Sequence, residues 1–211
     1  MDAIVLFLGL IVLITILGLL LILGHKPQNP GPDTNAKKIE GTNFIPSQMY
    51  MGNDGLGGLA VNDRTHQICL FTSPDSPPRI RPVTDLLGSY VIKNGEVLGE
   101  GKRSNPQEMV AFLRDLHHTK ESLIKSLHLG SSPGGNQRID LLVVVHDPED
   151  PILVVNFLDM ETKEGGILFE KALSTATHWH YVLDGLILEA DQLARLQSAT
   201  PQEKELAEAT P

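Results

Sequence analysis

The chain has one cysteine, Cys69, in 211 residues. No internal disulfide can form, and an oxidising compartment has left no mark on the composition. Positive charge is also scarce: Lys and Arg number 17 against 26 Asp and Glu, a formal net charge of −9. That balance excludes a nucleic-acid binder that works by neutralising phosphates. The excess acid, which includes Glu203, Glu205 and Glu208, reads as solubility and not as a binding signal. Metalloprotease HExxH spacing is missing. The glycine-rich run from Gly52 to Gly58 lacks the Gly-Lys-Ser/Thr ending of a phosphate loop, does not match G-x-G-x-x-G, and leads into a strand pattern. No solenoid-like repeat and no heptad run is present.

One long hydrophobic run is present. Ala3 to Gly24 are 22 consecutive uncharged positions with Thr15 as the only polar side chain. As a helix that run is roughly 33 Å long, enough to cross a ~30 Å hydrocarbon core. A cleaved secretory signal fits poorly, because Asp2 takes the place of a positive n-region and His25-Lys26-Pro27-Gln28 offers no small-residue cleavage pair. The expectation is a retained single-pass anchor over residues 1–24. Its glycines, Gly9, Gly18 and Gly24, do not form GxxxG. Lys26, Lys37 and Lys38 follow the run and no Lys or Arg precedes it, which puts the remaining chain on the cytoplasmic side. The expected address is a bacterial inner (plasma) membrane, with the lipid bilayer as one partner.

Residues 25–41 are rich in proline and small polar residues (Pro27, Pro30, Pro32, Asn29, Gly31) and read as a flexible linker. Residues 198–211 read as a disordered tail. Between them, 42–197 show closely spaced turn signals that suggest a hairpin-rich domain. Leu59–Asn62 and Gln67–Phe71 flank a short polar turn. Arg79–Val83 alternates, and its Pro82 marks a sheet edge. Ser89–Ile92 and Glu96–Leu98 flank Lys93-Asn94-Gly95, where Asn-Gly is a strong hairpin signal because both residues tolerate positive φ. Ile139–His146 and Ile152–Leu158 flank Asp147-Pro148-Glu149-Asp150-Pro151. With Phe44–Met51 included there are about seven or eight strands.

Two segments break this pattern. Ser104-Asn105-Pro106 is a helix start, followed by an apolar face of Met109, Val110, Phe112, Leu113 and Leu116, and the stretch 104–136 reads as a helical insertion. From about Phe169 to Gln197, Ala176, Trp179, Leu183, Leu186, Ile187, Ala190 and Leu193 recur at three- and four-residue steps, the stripe of a long amphipathic helix. The expected class is α+β, mainly β: an antiparallel sandwich or open barrel with the helix packed across it.

That order resembles the pleckstrin-homology-like fold, with its seven or so strands and C-terminal capping helix. Gly58-Leu59-Ala60-Val61-Asn62-Asp63 through Ile68-Cys69-Leu70, then Arg79-Ile80-Arg81-Pro82-Val83-Thr84-Asp85-Leu86-Leu87-Gly88-Ser89-Tyr90-Val91 ahead of Asn94-Gly95, is similar to a pattern in uncharacterised bacterial single-pass membrane proteins carrying such a domain. Trp179-His180-Tyr181-Val182-Leu183 with Glu189-Ala190-Asp191-Gln192 resembles the end of that domain. The resemblance covers residues 42–197 and implies a fold; a fold carries no function by itself.

Candidate chemistry is sparse. His178 and His180 are two apart on the helix and point about 200° from each other, so they cannot grip one ion; His180 with Asp184 has helical ligand spacing but is two ligands short of a closed zinc site. Cys69 lies among apolar neighbours and reads as a buried structural thiol. No cofactor or metal is expected, and no catalytic residue. Arg79 and Arg81 share a strand face, with Lys93, Lys102 and Arg103 on the following hairpin, and together they are candidate contacts for an anionic headgroup or ligand. The sequence thus suggests a membrane-anchored, non-catalytic interaction or scaffold domain that binds a protein partner or itself. Recognition of an anionic lipid or ligand through the basic strand face is one alternative, and an unrecognised enzyme is another.

Overall fold

The computed structural model describes residue 39, residues 42–105, residues 111 and 114, and residues 136–198. The expected anchor, the expected tail from 199 onward, and most of the expected linker and helical insertion lie outside the described residues. Among the described residues no helix is long and apolar enough to cross a membrane.

Among the described residues eight strands, a 3-10 turn and one long helix follow in order. The first sheet is a plain antiparallel meander, β1 (Gln48–Met51), β2 (Gly58–Asn62), β3 (Gln67–Phe71) and β4 (Arg79–Pro82). Pro82 sits at its edge, as a residue without an N–H must. The turn Val83–Asp85 then leads into the second sheet of β5 (Leu86–Lys93), β6 (Glu96–Lys102), β7 (Gln137–Val145) and β8 (Ile152–Met160), whose spatial order is β6-β5-β7-β8. Helix α1 (Ile167–Ser198) closes the domain. The chain is therefore mainly β with two antiparallel sheets and a C-terminal helix, an α+β arrangement.

Local chemistry explains the turns. Asn94 and Gly95 have φ of 49° and 86°, so the β5–β6 connection takes the two left-handed residues that the twist of a hairpin favours. In the β2–β3 turn, Asn62 Oδ1 accepts hydrogen bonds from the N–H groups of Arg64 (3.0 Å) and Thr65 (3.1 Å), a side chain standing in for backbone.

Alternation along the strands sorts the apolar residues into separate layers. Leu59, Val61, Ile68 and Leu70 from the first sheet meet Val91, Ile139, Leu141, Val143, Val155 and Phe157 from the second, and α1 adds Ala176, Trp179, Leu183, Ile187 and Ala190. At about 1.5–3 kcal/mol for each large side chain fully buried, this shared core is the main force holding sheets and helix together. All the positions of the expected helical stripe face it, with Leu193 half-buried. On the far side of the first sheet, Ala60, Cys69 and Phe71 pack with Phe44 and Ile39. Ile39, inside the stretch read as a linker, is 4% exposed. An isolated isoleucine among polar residues gives no periodic signal by which to recognise that packing.

An aromatic trio joins the three layers. Tyr50 of β1 stacks on Phe157 of β8 with centroids 4.3 Å apart and planes 6° from parallel. Trp179 of α1 lies 6.2 Å from the Tyr50 ring.

Candidate functional site

The five basic residues nominated by the sequence are divided between the two sheets. Arg79 and Arg81 are on β4 in the first sheet, Lys93 and Lys102 on β5 and β6 in the second, and Arg103 just beyond β6. Each has a carboxylate beside it. Arg79 Nη1 donates to Asp147 Oδ2 and to the Asp150 carbonyl, both at 2.8 Å, and Arg81 Nη2 reaches the same Asp147 oxygen at 2.5 Å. Burial of the Asp147 carboxyl opposes its ionisation, but the Glu149 N–H and the Arg81 and Arg79 guanidinium groups outweigh that and hold it below the usual carboxylate range. Lys93 Nζ lies 2.7 Å from Glu164, and Lys102 Nζ 3.5 Å from Glu100. Arg103 Nε is 2.8 Å from Asp191 Oδ1, both side chains nearly excluded from solvent. The first pair ties the edge of one sheet to the β7–β8 turn, and the last ties β6 to α1. Apart from Glu100, two residues from Lys102 on the same strand, these acids are tens of residues away in sequence, so no local pattern reveals the pairing.

The histidines are likewise absorbed into the packing. His180 Nδ1 and Ser89 Oγ are hydrogen-bonded at 2.9 Å, and both residues are buried. The imidazole lies against Gly99, where a Cβ would come 3.1 Å from Nε2; a Cβ at Gly101 would come 2.5 Å from Asp184 Oδ1. Gly99 and Gly101 share one face of β6 and form the shallow groove in which α1 rests. Two glycines at period two on a strand are a legible sign of that close approach. His178 faces the other way, 3.3 Å from Gln48 Oε1. Among the described residues no three His, Cys, Asp or Glu side chains converge as a metal site. Cys69 is buried, and burial pushes its thiol up to about 12, which leaves it unreactive. Gly130-Ser131-Ser132-Pro133-Gly134 has the letters of a G-x-S-x-G elbow. An elbow serine follows a strand and opens a helix, whereas strand β7 starts at Gln137 directly after this segment, which itself lies outside the described residues.

Burial lowers the His180 pKa below its ordinary value, and Asp184 opposes that shift. A proton on His180 is therefore bound more tightly by the unfolded chain than by the folded one. Its contribution to stability is fully present above pH 6.5 and is lost as pH falls below that value toward the folded pKa. The thermal midpoint of the wild-type chain is expected to drop between pH 7 and pH 5, and His180→Gln should flatten that part of the profile. An unchanged slope in the variant would place the effect elsewhere.

The glycine-rich connection between β1 and β2 is fixed against β8. Asn53 N–H donates to the Asn156 carbonyl at 2.8 Å, and its side-chain amide donates to the Phe157 carbonyl. Beside this contact lies a polar cluster in which Asp140, fully buried, accepts from Arg138 Nε (2.7 Å) and Asn156 Nδ2 (2.9 Å). Burial pushes the Asp140 carboxyl up, against the opposing effect of those two bonds. An open cleft of about 370 Å³ adjoins the cluster, bounded by Asp54, Thr72, Arg138, Asp150 and Val154. Its charged groups already have partners inside the fold: Asp54 caps the Leu56 N–H, and Asp150 pairs with Arg79.

The edges of β4, β6 and β8 are poor candidates for docking an extended segment. Pro82 lies on β4, β6 carries a bulge opposite Val91/Ile92 and exposed Glu96, Glu100 and Lys102, and β8 is met by Asn53 and Gly57. These are features that discourage strand addition. The outer face of α1 differs. Ser174, His178, Tyr181, Gly185, Leu188 and Gln192 follow one another at three- and four-residue steps, all exposed and none formally charged at neutral pH. Tyr181 is 68% exposed and Leu188 53%. Between them a Cβ at Gly185 would meet nothing within 4 Å.

Compared with protein-family models, curated proteins and solved structures, the chain matches none.

Proposed function

We propose that this chain is a single-pass protein of the bacterial inner membrane that holds a non-catalytic interaction domain at the cytoplasmic face. Its partner docks on the outer stripe of α1. The observation that carries this reading is the Tyr181-Gly185-Leu188 surface. Glycine within a helix costs up to about 1 kcal/mol relative to alanine. Among the described residues nothing packs on Gly185 to offset that cost, whereas a small residue between two exposed apolar ones suits the close approach of a second helix. Aromatic and aliphatic anchors of this kind dominate protein interfaces. The two antiparallel sheets with a C-terminal helix support a pleckstrin-homology-like reading of the fold, and the membrane address rests on the Ala3–Gly24 run and its lysine flank.

Recognition of anionic lipid through Arg79, Arg81, Lys93, Lys102 and Arg103 has less support, because every one of these cations sits beside a carboxylate. A non-catalytic role is favoured by the enclosed Ser89–His180 pair and the unreactive Cys69.

The test is chemical crosslinking and affinity purification of the full-length chain from native membranes, comparing wild type with Tyr181→Asp/Leu188→Asp. Both side chains are exposed, so the thermal midpoint should hardly move. Recovery of the crosslinked partner should fall by about tenfold or more. Equal recovery from both chains would remove the α1 surface from the account. If the wild type recovers only itself and the double variant loses that product, the partner is a second copy.

A further inference from the structure

The outer stripe of α1 carries a pattern of size as well as an absence of charge. Measured from the height of Leu183, its exposed positions fall at equal distances in both directions: Tyr181 and Gly185, then His178 and Leu188, then Ser174 and Gln192. The members of each pair are unlike. Tyr181 is a large exposed ring, whereas a Cβ at Gly185 would meet nothing within 4 Å among the described residues.

Two copies of α1 packed antiparallel about a two-fold axis at that height bring the unlike members together, as a self-complementary patch requires. Tyr181 of each copy then lies against Gly185 of the other, and His178 lies against Leu188. Ser174 meets Gln192 at the two ends, where each offers a donor and an acceptor. Parallel packing would set ring on ring and glycine on glycine, a collision beside a void, which close-packed interfaces avoid. Charge selects the same occupant. The chain has a formal net charge of −9, so two copies repel each other over most approaches. This stripe places no formal charge opposite its own copy at neutral pH.

We propose that the partner of the stripe is a second copy of this chain, the two α1 helices packing antiparallel with Tyr181 seated on the partner's Gly185. This rests on the stripe being the docking surface of a membrane-held domain. From Ser174 to Gln192 the stripe is about 27 Å long, and at a helix width of about 10 Å its footprint is roughly 300 Å². A standard interface buries ~800 Å² per partner, so the contact is a weak one. Copies sharing a bilayer are concentrated on it by their anchors, which favours a weak contact between them without any added surface.

The full-length chain reconstituted alone in liposomes provides the test, because no other protein is present. Copies carrying His178→Cys are mixed with copies carrying Leu188→Cys, each with its own affinity tag. The native Cys69 is buried and stays unreactive. A phenylene dimaleimide should join 178 to 188 about tenfold more than 178 to 178 or 188 to 188, which the antiparallel pair holds roughly 15 Å apart along the axis. Equal yields of the three products, an excess of the like pairs, or no product would overturn the proposal. Gly185→Tyr added to both chains sets ring on ring and should lower the 178–188 product about tenfold. The exchange Tyr181→Gly/Gly185→Tyr should restore it, since unlike members meet again, and an exchange as weak as the single variant would also overturn the proposal. A different protein captured in native membranes by a probe at position 185, with no 178–188 product in liposomes, removes the second copy and leaves the docking surface standing. No adduct from that probe removes both.

Discussion

Gly57→Ala is expected to destabilise the domain by about 3 kcal/mol or more. Gly57 stands where the β1–β2 connection meets the edge of β8, and a Cβ there would overlap the carbonyl oxygen of Val154. Backbone is the obstacle, so no side-chain rotation relieves the clash. The connection cannot simply move away, because Asn53 donates from its backbone and its side chain to the Asn156 and Phe157 carbonyls, and Gly52 N–H donates to the Gly57 carbonyl at 2.8 Å. Displacing it sacrifices those bonds, each worth about 1 kcal/mol net, and uncovers the edge of β8. Gly185→Ala is the internal control. Its Cβ meets open space in a helix, so it should stabilise by up to about 1 kcal/mol. Urea midpoints of the two variants are therefore expected to move in opposite directions, and a shift of the same sign in both would contradict the packing described.

Trp179→Ala should cost about 3–5 kcal/mol, the range for deleting a large buried aromatic side chain. Trp179 is 4% exposed and packs in the shared core. It also approaches Tyr50, which stacks on Phe157, so its removal loosens a contact that joins α1 to both sheets. The cavity has little chance of collapsing, because its walls belong to three separate elements. Denaturant unfolding followed by far-UV circular dichroism measures the loss, Trp179 being the chain's only tryptophan and hence its fluorescent reporter. A cost under about 1 kcal/mol would mean that the helix is held mainly by its polar contacts with β5 and β6.

Much of the fold was legible because it is written in local pattern. The short polar turn after Leu59–Asn62 marked the strand pair with Gln67–Phe71, Asn94-Gly95 marked a hairpin, Pro82 marked an edge, and the three- and four-residue steps from Ala176 to Ala190 marked the buried side of α1. The strand order β6-β5-β7-β8 was not legible, since alternation reports which face a residue takes and says nothing of which strand is its neighbour. The candidate surface fared differently. Arg79 and Arg81 look like a cationic face until Asp147 and Asp150, distant in sequence, fold back beside them. Nothing near His180 in sequence points to Ser89, which meets it across the helix–sheet contact. Pairing of this kind depends on tertiary approach. The outer stripe of α1 was available in principle, since the residues left over after the apolar stripe is removed include Tyr181, Gly185 and Leu188 with no formal charge among them.

The central claim is that α1 presents its outer stripe to another protein. A photoreactive amino acid at position 185 of the full-length chain, irradiated in native membranes, tests it most directly. A covalent adduct with a protein is expected from position 185, with little or none from a probe at Thr72 beside the cleft. Adducts from Thr72 with none from position 185 would contradict the account.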